Sequence, residues 1–150
     1  MALPASAADT TTTVTITGGG LTLTAPASAT LTAGTPGQNS TVTVGDTTVT
    51  DARAGIANWT ATVSLPALTV SGQTIPTTAA TYLASTAGLT GSPTLDAPAT
   101  QLDLSTAKVS QATSAVSGNN TATWTGALMV PIPAQVLAGT YSGTLTQSVS

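Results

Sequence analysis

The chain has 150 residues, enough for one domain that buries roughly 70% of the surface its unfolded form exposes. Only 5% of its residues are charged, whereas 35 are threonine, and Thr, Ser and Ala together fill half of the chain, so hydroxyl groups must wet its surface. Five aspartates against Arg53 and Lys108 give a net charge of −3, which excludes a basic patch for nucleic acid or an anionic membrane surface. With no His and no Cys, imidazole metal sites, thiol nucleophiles and the common catalytic triads are excluded too. No apolar run is long enough to span a bilayer.

Residues 1–8 read as the tail of a signal peptide or as a disordered leader, because Ala5-Ser6-Ala7 has the small-x-small form of a cleavage site. One domain is then expected over residues 9–150. Its first strand is predicted over Thr10–Thr17, where Val14 and Ile16 alternate with Thr13, Thr15 and Thr17. This strand either pairs within its own sheet or joins a neighbour's sheet by strand addition, with Val14 and Ile16 as the assembly residues. Gly18-Gly19-Gly20 reads as a hairpin turn or a strand kink before the Leu21–Thr24 alternation.

Ser40–Val44 and Thr47–Thr50 form the next alternating stretches, with Gly45-Asp46 supplying a turn between them. In Trp59–Leu65 one face carries Trp59, Ala61, Val63 and Leu65 while Thr60, Thr62 and Ser64 face out. From Pro66 to Gly118 the chain is less regular and predicts short strands joined by long loops, with room for a helical turn over Ala79–Ala84 and over Ser105–Ala115. Thr121–Val130 is extended, and Thr140–Val149 closes the chain with Tyr141, Leu145 and Val149 on one side. Many short strands punctuated by Gly and Pro predict an all-β fold, an antiparallel β-sandwich of the immunoglobulin-like kind.

Few residues offer chemistry. Ser105-Thr-Ala-Lys108 matches the S-x-x-K nucleophile motif, but that chemistry needs a buried helix and a K-T-G strand, and Lys108 is the only lysine. Asp46 with Asp51, or Asp96 with Asp103, gives at most two carboxylates, too few for a firm calcium site. No catalytic residue, metal site or cofactor is expected. In Asp51-Ala-Arg53 the lone arginine either pairs with Asp51 to pin the loop or contacts a ligand, and Trp59 is either a core ring or a sugar platform beside it.

The stretch Thr48–Ser64, with its Asp-Ala-Arg-Ala-Gly turn and Asn-Trp-Thr-Ala-Thr-Val strand, resembles the first conserved block of WxL-type surface domains of Gram-positive bacteria. Ala122-Thr-Trp-Thr-Gly, Val130-Pro-Ile-Pro and Ala138–Thr146 resemble the last block of the same family. Trp59-Thr60-Ala61 occupies the first Trp motif with Ala in place of Leu, and Gln147 stands where the second motif has Trp. The resemblance implies a secreted, non-catalytic β-sandwich held non-covalently at the cell wall, with wall glycan or other surface proteins as partners. Trp59, Arg53 and Asp51 are then the ligand-binding candidates. The alternative is a self-assembling subunit, a homo-oligomer or extracellular fibre, joined through the N-terminal strand.

Overall fold

The computed structural model describes residues 1–3, 8–85, 87–96 and 99–150, so the cleavage-like Ala5-Ser6-Ala7 lies outside the described residues. Twelve strands follow in chain order: β1 (Leu21–Thr24), β2 (Asn39–Asp51), β3 (Thr60–Ser64), β4 (Leu68–Val70), β5 (Gln73–Ile75) and β6 (Thr81–Ala84), then β7 (Gly88–Thr90), β8 (Thr94–Leu95), β9 (Gln101–Leu102), β10 (Lys108–Ser114), β11 (Asn120–Pro131) and β12 (Thr146–Val149). One antiparallel sheet runs β1-β2-β11-β6-β9, with β7 also paired to β11; a second runs β12-β3-β10-β8. A small hairpin joins β4 to β5 through Ser71-Gly72, both at positive φ as a tight two-residue turn demands. The all-β antiparallel expectation is met, and the middle of the chain does form short strands joined by loops.

The two sheets face each other across one core. Val49, Tyr82, Trp124 and Val130 contribute from the first sheet, and Ala61 and Val63 from the second, all at most 2% exposed. Period-two alternation explains most of this, since each strand turns its Val, Ala or Trp inward and its Thr outward. Gly126 on β11 is glycine for want of space: the Tyr82 ring lies where a Cβ would stand.

Gly45-Asp46 is not a turn. β2 is one continuous strand, and Gly45 and Asp46 together oppose Thr125 of β11, between the pairs Val44–Gly126 and Thr47–Trp124. Such a two-against-one bulge reverses the parity of the alternation. Val42 and Val44 face inward before it, and Thr47, Val49 and Asp51 after it.

Three other expectations are corrected. Ala79–Ala84 and Ser105–Ala115 hold no helical turn; their Thr, Val and Tyr residues instead extend as β6 and β10 on waiting edges of β11 and β3. Over Thr140–Val149 only Thr146–Val149 joins a ladder; before it, Ser142 alone exchanges backbone hydrogen bonds, with Thr69. Most telling, Thr10–Thr17 forms no strand and stays exposed throughout, with Val14 at 83% and Ile16 at 76%. The edge of β2 nearest to it is already occupied by β1, and two apolar side chains cannot order a strand that has no partner. The glycines after it continue the β1–β2 pairing, with Gly19 N–H donating to Ala52 O (2.6 Å) and Ala52 N–H to Gly20 O (2.9 Å).

Candidate functional site

Asp51 ends β2 with its carboxylate only 2% exposed. The bulge at Gly45-Asp46 sets the parity that turns this residue inward. Arg53, two residues on, bends back over it: Nε donates to Oδ1 and Nη2 to Oδ2, each at 2.9 Å, and the Arg53 N–H donates to Oδ1 at 3.1 Å. Asn120 at the start of β11 adds a fourth donor, Nδ2 to Oδ2 at 3.3 Å. The Arg53 guanidinium, acting above all by hydrogen bonding, holds the Asp51 carboxyl below its ordinary range, against the opposing pull of burial. Asp51 in turn raises Arg53 above its ordinary value.

The cluster extends into the core through Asn120. Its Oδ1 accepts from the Trp59 indole Nε1–H at 3.0 Å, and its Nδ2 also donates to Gly118 O at 3.2 Å. Trp59 is 1% exposed, and its backbone N–H donates to Thr113 Oγ1 at 2.8 Å. Arg53 Nη2 also donates to Ala57 O at 2.8 Å, and Asn119 Oδ1 accepts from the Ala54 N–H at 3.0 Å. Asp51, Arg53 and Trp59 are therefore brought together as the sequence suggests, but as a polar clasp that closes one end of the sandwich. The sugar-platform role for Trp59 is corrected: a ring buried on both faces cannot stack on a glycan. Arg53 commits Nε and Nη2 to the clasp, which is the ion-pair alternative.

Asn120, the hub of the clasp, escaped the sequence reading. The signal was Asn119-Asn120 placed just before an alternating strand, where a polar side chain meets the inward parity. A second buried polar chain was also missed. Trp124 Nε1–H donates to Tyr82 Oη (3.3 Å), Tyr82 Oη–H to Gln147 Oε1 (3.3 Å), and Gln147 Nε2–H to Thr47 Oγ1 (3.1 Å). Burial pushes the Tyr82 phenol up. This chain ties the two sheets together through Gln147, the residue at the second Trp-motif position.

The S-x-x-K pair is no site. Ser105 sits in an exposed turn with its hydroxyl on the Asp103 carboxylate, and Lys108 opens β10 opposite Val63. Among the described residues no three metal-ligating side chains gather.

The described residues also form an open feature. A groove of about 860 Å³ lies between the Ala25–Gly34 segment, which follows β1, and the Leu137–Leu145 segment, which precedes β12. Its floor is core: Val44, Leu65, Leu68, Ile75 and Leu128, each no more than 6% exposed, with Leu31, Ile132 and Tyr141 half-buried at its sides.

Comparison with protein-family models, curated proteins and solved structures finds no match to this chain.

Proposed function

We propose that this protein is a non-catalytic, extracellular structural subunit of a bacterial surface that joins copies of itself through its N-terminal arm. One observation carries the reading: Thr10–Thr17 keeps strand alternation, yet leaves Val14 and Ile16 exposed and unpaired beside a body that is otherwise well packed. An exposed alternating segment is a ready strand for another sheet. The low charge and hydroxyl-covered sheets support an extracellular setting, as does the resemblance of the Thr48–Ser64 and Ala122–Thr146 blocks to WxL-type domains.

A second reading, non-covalent association with wall glycan, draws on the outer face of the first sheet. There the registers align Thr22, Thr50, Thr121 and Thr90 in one row across β1, β2, β11 and β7, and Thr24, Thr48 and Thr123 in the next. Such rows present both donors and acceptors to sugar hydroxyls, giving weak contacts that add by multivalency.

Sedimentation of the full chain with and without isolated Gram-positive walls separates the two. Pelleting without walls, abolished in the Val14→Asp/Ile16→Asp variant, supports self-assembly. Pelleting only with walls, unchanged in that variant, replaces it by the glycan reading.

A further inference from the structure

We infer that the groove between Ala25–Gly34 and Leu137–Leu145 is the acceptor site for the arm Thr10–Thr17 of a second copy of this chain. The inference rests on the self-assembly reading and names the surface that reading lacks.

The groove has the form of a missing strand. On one wall, the Ala25–Gly34 segment has, among the described residues, a single backbone–backbone hydrogen bond, Thr32 N–H to Thr41 O (2.9 Å), beside which Thr41 N–H donates to Thr32 Oγ1 (3.1 Å). On the other wall, Gly139–Leu145 makes backbone–backbone hydrogen bonds, among the described residues, only through Ser142. Both walls thus carry unpaired N–H and C=O groups over an apolar floor. A strand laid between them would satisfy those groups and cover the half-buried Leu31, Ile132 and Tyr141 at the sides of the groove.

The arm matches this need. Val14 and Ile16 share one face, suited to the floor, while Thr13, Thr15 and Thr17 on the other face would continue the hydroxyl surface of the sandwich. Neither arm nor groove carries a charge apart from Asp9 at the arm's root, so no ionic cost opposes the match.

Val14 and Ile16 cannot reach Val44 of their own molecule. It is tied at Gly19 to Ala52, and the floor at Val44 lies eight residues further along β2, about 25 Å away. Val14 is five residues from Gly19 and reaches at most about 18 Å; Ile16 reaches less. The acceptor is therefore taken as the groove of another copy, where this limit does not apply. Because arm and groove are different surfaces of the chain, the contact is head-to-tail, and it propagates as an open chain unless the rotation happens to close a ring.

The native chain has no cysteine, which makes cross-linking a direct test. Full-length Ile16→Cys is mixed with full-length Val136→Cys, and separately with Ile56→Cys, an exposed position in the loop beside Arg53. The expected result is a mixed disulfide dimer with Val136→Cys, at least tenfold more than with Ile56→Cys, and its loss when Val14→Asp is added to the arm. Assemblies that need Val14 and Ile16 but cross-link no better to Val136→Cys overturn the groove as acceptor and leave self-assembly standing. A chain that stays monomeric at high concentration and forms no cross-link overturns both. Native mass spectrometry that finds the groove filled by a co-purified apolar small molecule, with no arm cross-link, likewise overturns the inference.

Discussion

Asp51 is the only one of the five aspartates that the fold buries, and its environment makes a prediction about acid stability. Its carboxyl titrates below the unfolded value of about 3.9, so its stabilising effect is fully present above that value. The effect is lost as pH falls through the depressed folded value. Asp51→Asn keeps the shape but weakens the clasp around Arg53 and Asn120, and is expected to cost about 1–3 kcal/mol at neutral pH. Urea midpoints of the variant and the parent should differ at pH 7 and converge as pH falls through the depressed folded value. A difference that persists undiminished in acid would show that the carboxylate charge is not what holds the clasp. Trp59 tests the same cluster from the core side. Trp59→Phe keeps an aromatic ring but leaves Asn120 Oδ1 without its indole donor, an expected loss of about 1–3 kcal/mol in thermal or urea unfolding. Because the ring meets no solvent, the folded variant should pellet with wall material as the parent does. A selective loss of wall pelleting without loss of stability would restore the platform role.

At the scale of elements, the bulge in β2 shows what alternation can and cannot tell. Val42 and Val44, then Val49, were legible as inward residues, and so were Trp59, Ala61 and Val63 on β3. The break at Gly45-Asp46 was legible as well, but not its kind. A turn and a bulge use the same small and polar residues, and only the β11 partner, absent from local sequence, decides between them. The same ignorance of partners explains the two misread helical turns, which found edges to extend on, and the arm, which found none. The clasp was half legible: Asp51 and Arg53 announce each other by proximity, whereas Asn120 arrives from 69 residues away. The groove was not legible at all, because its two walls, Ala25–Gly34 and Leu137–Leu145, lie far apart in the chain. If the bulge sets the parity, deleting Asp46 forces a one-residue slip that turns either Val42 and Val44 or Thr47 and Val49 to solvent. The deletion is expected to abolish cooperative unfolding followed by circular dichroism, whereas Asp46→Ala, at an exposed side chain, should leave it intact.

For the whole molecule, the question is what force would hold an assembly together when so few charges exist. Ordinary sheets guard their edges with lysine and other charges; this chain has one lysine, and its arm has none. An arm-in-groove contact would bury Val14 and Ile16 and pair backbone groups, and neither interaction weakens when salt screens charge. Assembly measured by light scattering is therefore expected to survive a rise from low salt to about 1 M sodium chloride. Sulfate, which is excluded from protein surfaces and favours burial, should enhance it. Arg53→Ala, which removes one of the two cations at the end of the body from which the arm departs, should leave the assembled mass unchanged once the variant is shown to be folded. Val14→Asp/Ile16→Asp should remove it, since a carboxylate placed on the apolar floor would lack any partner there. Dissolution of the assemblies by sodium chloride would instead mean that the copies meet through Arg53, Lys108 and the aspartates, and the arm would then have no part in holding them.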